Sequence, residues 1–494
     1  MLYQSTRDTN ANKIEGSMAI KQGLANDGGL FVPESIPALS GDEILALCKE
    51  SYPVRAAKIL SKFLTDYTYE ELLTDCEKAY SKESFEGGCA PLAKVREGLY
   101  SLELWHGPTS AFKDMALQIM PRLLSRSLVK NDEKRTALIL VATSGDTGKA
   151  ALEGYKDVDG VKIMVYYPDQ GVSRVQKLQM ATQEGSNVNV CAIVGNFDDA
   201  QNGVKAIFGN DEAAKILNDK DVFLSSANSI NWGRLAPQIV YYVSAYCDLL
   251  AEGKIKLGDK VNYCVPTGNF GNIFAAYLAK LMGLPVGKLI CASNTNNVLT
   301  DFLRTGEYNR NRKFHLTMSP SMDILISSNL ERLLYFTAGS AKTAEYMASL
   351  KETGAYKISS DLLAKINETF IGYYADEAET AATIKSTFEN DGYLADTHTS
   401  VALSCADKYI KESGDATPMV VASTASPYKF AADVYSSLYG EKPCDQLAAL
   451  DELSAKTATE IPYPLRGIGE RTVRFTAVVD SAKMWDAVAA YVSK

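Results

Sequence analysis

Several chemistry-bearing features are scarce or absent in this chain of 494 residues. It has 3 histidines, and its 9 cysteines (48, 76, 89, 191, 247, 264, 291, 405 and 444) form no CxxC pair. Structural zinc sites are built from such closely paired ligands, so no metal centre is expected. An odd, scattered cysteine set also argues against a disulfide framework and fits a reducing, cytoplasmic setting. No dense basic run occurs, and 51 Lys and Arg against 60 Asp and Glu leave a net charge of -9. Such a surface is a poor match for a nucleic-acid backbone, so nucleic acid is excluded as a partner. No segment approaches the roughly 20 apolar residues that cross a bilayer. The opening MLYQSTRDTNANKIEGS lacks the apolar core of a secretory signal, so neither membrane nor export is expected. Repeats, low-complexity tracts and an excess of glycine or proline are also missing.

What is present is the composition of an ordinary folded protein, 46% hydrophobic and 22% charged. The length exceeds what one core usually organises, which predicts two or three packed domains or one domain with large additions. Residues 1 to 95 read as a mainly helical N-terminal domain, punctuated by DGGLFVPESIPALS at 27 to 40. From 96 to 494, β-branched runs alternate with helical segments. The runs are SLELW (101 to 105), TALILVAT (136 to 143), VKIMVYYP (161 to 168), NVCAIV (189 to 194), VNYCVPT (261 to 267), KLICAS (288 to 293) and PMVVAST (418 to 424). This alternation predicts an α/β fold with mainly parallel sheets. Residues 320 to 390 read as a helical insertion.

Several runs pass directly into a glycine-bearing turn and then a helix. Open α/β sheets bind ligands at such carboxyl ends of strands. In LELWHGPTSAFKDMALQIM (102 to 120), Lys113 stands at a strand-to-helix junction beside Phe112, Met115 and Ala116. The plain reading is a solvated helix-entry lysine. The chemical reading is an amine whose apolar neighbours disfavour its ammonium form and prepare it for covalent and proton-transfer chemistry. LVATSGDTGKAALEGY (140 to 155) offers free amides and the hydroxyls of Thr143, Ser144 and Thr147 to an anion, with Gly145 in the turn. Alternatively, Asp146 or Thr147 caps the helix. NYCVPTGNFGNIFAAYLAK (262 to 280) repeats the plan with Gly268, Asn269, Phe270, Gly271 and Asn272, and is the stronger phosphate cradle. It is neither a Walker loop nor GxGxxG, so nucleotide readings lose ground. In SSANSINWGRLAPQIVYY, Arg234 is either an anion clamp or a surface arginine paired to a carboxylate. VVASTASPYKF ends a strand with Thr424, Ser426 and Lys429, where a hydroxyl could reach an aromatic ring nitrogen.

Seven strings, taken in order, resemble the threonine synthase family in its longer bacterial and fungal branch. They are DGGLFVPE, HGPTSAFKD, TSGDTG, NSINWGR, VPTGNFGN, GYLADTHTSVA and STASPYKF, and they span nearly the whole chain. The resemblance implies a fold type II, tryptophan synthase β-like enzyme dependent on pyridoxal 5'-phosphate. A smaller α/β domain at about 114 to 222 would be inserted into a larger one, with the cofactor between them. Lys113 would carry the cofactor as an imine, residues 268 to 272 would surround its phosphate, and Thr424 would bond its ring nitrogen. Thr143, Ser144, Gly145 and Thr147 would hold the substrate carboxylate. Asn231, Arg234, Ser144 and Lys429 are the candidates for a substrate phosphate, since an arginine fork suits a phosphoryl group. His106 is expected to brace the turn before Lys113. Two departures stand out. Asp146 replaces an asparagine common in the wider superfamily, and would have to be protonated or turned away from the cofactor's 3'-oxygen. Thr397 stands where the family string has proline.

The implied reaction turns O-phospho-L-homoserine and water into L-threonine and phosphate, in a cytoplasmic monomer or homodimer. Two other readings share some of these residues. A phospho-lyase or a threonine or serine dehydratase of the same fold would keep Lys113 and the glycine loop but release a ketoacid. A non-catalytic phosphometabolite-binding protein would need neither the lysine nor its neighbours.

Overall fold

A computed structural model of the chain describes every residue except Ala11, Ser144, Gly171, Cys444 and Lys494. Two sheets organise the region that follows the N-terminal segment. The large sheet has six strands in the order Phe370–Tyr374, Val286–Ser293, Val261–Pro266, Met419–Ser423, Leu99–Glu103, Leu92–Arg96. Neighbours run parallel except for the last pair, an antiparallel edge. The small sheet is a five-stranded parallel one, ordered Val478–Asp480, Val188–Val194, Val161–Pro168, Thr136–Ala142, Val222–Ser225.

Side-chain alternation places apolar cores on both faces of each sheet. Tyr263 and Val265 enter the main core, whereas Cys264 faces a second core with Val401, Leu403 and Tyr409 of the helix Thr397–Ser413. In the small sheet, Ala137, Ile139 and Val141 enter the main core, while Leu138 and Leu140 pack with Met484 and Val488 of the helix Met484–Val492. Strands buried on both faces read as unbroken apolar runs. That is why each of the seven predicted segments overlaps a strand of these sheets. The main core is shared by both sheets and by the N-terminal segment, which contributes Tyr3, Ile20, Phe31 and Phe63.

Two expectations, the helical insertion at 320 to 390 and the boundary at 222, need correction. Beside its helices, the segment 1 to 95 also holds a small antiparallel sheet, in which Leu2–Ser5 pairs with Ile14–Glu15 and Phe31–Pro33. Those strands are two to four residues long, too short for alternation to be read. The span 320 to 390 holds the helices Leu330–Ala338, Ser340–Thr353 and Glu377–Asp391, but Phe370–Tyr374 is an edge of the large sheet. A boundary at 222 falls at the start of a small-sheet strand, and the C-terminal segment returns to that sheet through Val478–Asp480 and the helix Met484–Val492. Such a return is a long-range pairing that no local pattern announces.

Candidate active site

The exits of four strands converge: Leu99–Glu103, Val261–Pro266 and Met419–Ser423 of the large sheet, and Thr136–Ala142 of the small one. The first leads through Gly107 to Lys113, which begins the short helix Asp114–Leu117. The turn is rigid. Asp114 accepts hydrogen bonds from the Thr109 amide at 2.8 Å and its hydroxyl at 2.7 Å, and burial pushes its carboxyl up to about 6. The Phe112 amide donates to the Thr424 carbonyl at 2.8 Å, and Ala111 bridges Ala425. The first and third exits are thereby stitched together.

Lys113 is 9% exposed. Its Nζ donates to Ser321 Oγ at 3.3 Å, lies 3.6 Å from Asp146 Oδ2, and sits 5.0 Å from the centre of the Phe112 ring. Burial lowers its proton affinity below the ordinary lysine value. Asp146 opposes that change, while Lys429 and Arg234 reinforce it. An amine whose ammonium form is disfavoured in this way is suited to imine formation and to proton transfer.

Asp146 opens the helix Asp146–Tyr155 on the small-sheet side. Its Oδ1 accepts from Lys429 Nζ at 2.7 Å and Gln176 Nε2 at 2.9 Å, and its Oδ2 accepts from Ser321 Oγ at 3.3 Å. Burial alone would raise this carboxyl, but Lys429 and Lys113 overcome it and hold the group well below the usual carboxylate range. The two lysines thus favour the ionised form of Asp146 over the protonated one. Gly145 makes this possible, for a Cβ there would lie 2.5 Å from the Gln176 amide. The Thr143 hydroxyl accepts from the Gly145 and Gly148 amides, each at 3.0 Å, and braces the turn. Thr147 is half-buried in the first turn of the helix. The expected contact Ser144 lies outside the described residues.

The loop 268 to 272 has the opposite character. Phe270 adopts a left-handed conformation (φ 64°) and opens the helix Gly271–Met282, whose first-turn amides have no intrahelical carbonyl. Asn272 Oδ1 accepts from the hydroxyls of Tyr241 at 2.5 Å and Tyr242 at 2.6 Å, which fixes the amide. Its buried Nδ2 has no hydrogen-bond partner among the described residues. A buried donor without a partner costs about 1–3 kcal/mol unless a ligand oxygen meets it. Ser327 Oγ donates to the Gly268 carbonyl at 2.7 Å and the Asn329 amide to the Asn269 carbonyl at 3.0 Å, so a second segment backs the loop. A Cβ on Gly268 would come within 3.0 Å of the Ser321 carbonyl.

Arg234 is buried, and Nη1 donates to the Ala227 carbonyl at 2.8 Å. Burial lowers its proton affinity to about 10, and it has no carboxylate partner among the described residues. Two expected substrate contacts hold partners within the protein. Asn231 spends its side chain within the protein: Nδ2 donates to the Ile20 carbonyl at 2.9 Å and Oδ1 accepts from the Gly233 amide at 2.8 Å. Lys429, fully buried, is committed to Asp146 and to the Thr109 carbonyl at 2.9 Å. The Thr424 hydroxyl makes no hydrogen bond among the described residues, and so remains available. His106 Nε2 is bound to Glu103 at 2.7 Å and its ring stacks on Trp105, the bracing role expected of it.

Ser321, Gln176 and His398 were not predicted. Ser321 lies in SPSMD, a stretch with no chemical signature. Its amide donates to His398 Nε2 at 3.1 Å, and His398 Nδ1 is paired with Asp396 at 2.8 Å. Asp396 also caps the helix Thr397–Ser413, so Thr397 occupies the first helical position. Proline is favoured at that position because its missing amide is not needed there, and threonine leaves the cap intact.

The pyridoxal-phosphate dependent enzyme family matches residues 89–424, and this chain belongs to it. The flanks narrow the assignment, since "Threonine synthase N terminus" matches residues 2–80 and "Threonine synthase, C-terminal" residues 399–492. Threonine synthase of Pseudomonas aeruginosa is 37% identical over 449 residues, covering 90% of this chain and 92% of that protein. The chain is a member of the threonine synthase family. Threonine synthase-like 1 of Pongo abelii is 41% identical over 435 residues, 85% of this chain, and the match spans only 58% of that longer relative. The structure of PLP-bound threonine synthase from Brucella melitensis has a TM-score of 0.88 and 38% identity, with coverage of 100% and 98%. The residues present fit such a cofactor. They supply a lysine amine of reduced proton affinity, a donor-rich loop whose Asn272 Nδ2 has no partner among the described residues, and a Thr424 hydroxyl without a hydrogen bond among them.

Proposed function

We propose that this chain is a threonine synthase, a carbon–oxygen lyase that converts O-phospho-L-homoserine and water to L-threonine and phosphate. The observation that carries this reading is Lys113: a buried amine set between a carboxylate and an uncommitted anion cradle, where four strand ends meet. Lys113 would hold the cofactor covalently, residues 268 to 272 its phosphate, and Thr424 its ring nitrogen. Bound there, pyridoxal phosphate supplies an electron sink for breaking bonds next to the substrate's amino group.

The chain's own groups divide the remaining work. Lys113 Nζ gives and takes protons, a task for which an amine of lowered proton affinity is suited. Thr147 and the amides at the start of the helix Asp146–Tyr155 face the substrate carboxylate, with Thr143 and Gly145 shaping the turn. Arg234 offers the substrate phosphate a guanidinium that no carboxylate among the described residues has claimed. A planar fork of donors matches a phosphoryl group in a way an ammonium does not.

Among the described residues no helix is long and apolar enough to cross a membrane. The eight cysteines among the described residues are free thiols, which supports a reducing cytoplasmic setting. Either a monomer or a homodimer is compatible with these features.

The test is a product assay on the cofactor-loaded enzyme given O-phospho-L-homoserine. Threonine and phosphate should appear in equal amounts, and the Lys113→Ala protein should lose both the visible cofactor band and turnover, by about 10²–10⁴-fold or more. A ketoacid with ammonia in place of threonine would sink the synthase reading.

A further inference from the structure

We propose that Asp146 and Lys429 form a buried charge pair that sets the proton affinity of Lys113, with Asp146 as the positioning residue and Lys429 as its counter-charge. This rests on reading Lys113 as the lysine that carries the cofactor.

The geometry is asymmetric in a useful way. One Asp146 oxygen is saturated, by Lys429 at 2.7 Å and Gln176 at 2.9 Å. The other is left to Ser321 Oγ at 3.3 Å and Lys113 Nζ at 3.6 Å. The side chains of Lys113, Asp146 and Lys429 are 10%, 4% and 0% exposed, so solvent does little to screen them. The charged groups acting on Lys113 are Asp146 from the small-sheet side, Lys429 from the strand exit at 424 to 429, and Arg234 from the helix Trp232–Leu235. Asp114 is bound to Thr109, and His398 reaches Ser321 only through its backbone amide.

Each member has a distinct consequence. An isolated carboxylate beside Lys113 would hold the amine as ammonium and spoil it as a base. Lys429 draws off part of that field. Without Asp146, Lys113 would face two cations and no anion, and would lose its proton too readily to serve as an acid. The pair keeps the amine between these extremes, as repeated proton transfer in both directions requires. Ser321 completes the cluster. Its hydroxyl accepts from Lys113 and donates to Asp146, giving the two charged groups a hydrogen-bonded path.

The experiment titrates the cofactor-loaded enzyme by its visible absorbance, with the ¹⁵N shift of labelled Lys113 Nζ at fixed pH as a second readout of proton occupancy. Asp146→Asn should lower the pH midpoint, and Lys429→Met should raise it. The Asp146→Asn shift should be about one pH unit, because unit charges about 4 Å apart interact by about 1 kcal/mol even when screened as in water and by more when buried, and the Lys429→Met shift should be the smaller of the two. If Lys429→Met does not fold, the double variant Asp146→Asn/Lys429→Met decides. Removing the second cation should return its midpoint upward from that of Asp146→Asn alone. Opposite shifts cannot arise from a general loosening of the site. Shifts in the same direction, or midpoints that ignore both substitutions, overturn the proposal. A wild-type enzyme with no cofactor band overturns instead the assignment of Lys113.

Discussion

The turns at 143–148 and 267–272 share one plan, a buried strand running through glycine into the N-terminus of a helix, yet they differ in charge. The second turn keeps its amides and Asn272 Nδ2 uncommitted and has no carboxylate of its own. The first places the carboxylate of Asp146 at the very end where a helix attracts anions. That carboxylate is tolerable because two lysines bind it. The lesson is that a glycine turn at a helix N-terminus is only a potential anion site, and the charges gathered around it decide what it can hold.

The comparison can be broken first at the lysine that makes the first turn workable. Lys429→Met leaves Asp146 buried with most of its compensation gone, and chemical denaturation should show a loss of about 3–5 kcal/mol. The pH dependence should carry the same signature. Because the Asp146 carboxyl is held below its unfolded value, its contribution is complete above about pH 4 and is lost as pH falls below that. Lys429→Met should weaken this acid-side loss.

A second substitution gives the glycine loop the charge of its counterpart. In Asn272→Asp, a carboxylate would occupy a loop with no lysine to neutralise it, while Tyr241 and Tyr242 still donate to it. The protein should fold, but cofactor affinity measured by fluorescence titration should fall about 100-fold, near 2.7 kcal/mol. Retained affinity would show that the loop is not the phosphate cradle.

The smallest expected effect separates a scaffold residue from both anion sites. Asn231→Ala removes a helix cap and a bond to the Ile20 carbonyl. It should cost about 1–2 kcal/mol of stability, with KM for the substrate and the cofactor spectrum unchanged. A large rise in KM would restore Asn231 to the substrate site.

Much of the fold is legible in the chain because its strands are buried on both faces and its turns are marked by glycine. The short N-terminal strands and the C-terminal return through Val478–Asp480 are not, since two to four residues carry no period and strand pairing is non-local. At the site, Lys113, Gly145 and the 268–272 loop can be located from local chemistry and from the ordered motifs. Ser321 cannot, because a serine acquires its role only from the groups that pack against it. The partners of Lys429 and Asn231 are hidden for the same reason. Both residue types suit a phosphate, but folding commits one to Asp146 and the other to Ile20.

What the sequence determined by itself, then, is the series of strand–turn–helix units, the lysine at one junction and the carboxylate-free glycine loop at another. These follow from hydrogen bonding and side-chain periodicity over a few residues. Which charges meet was decided only by the tertiary structure. The Asp146–Lys429 contact joins the small sheet to the last strand exit of the large one, and an attraction that falls with distance acts only after packing has brought the two ends together.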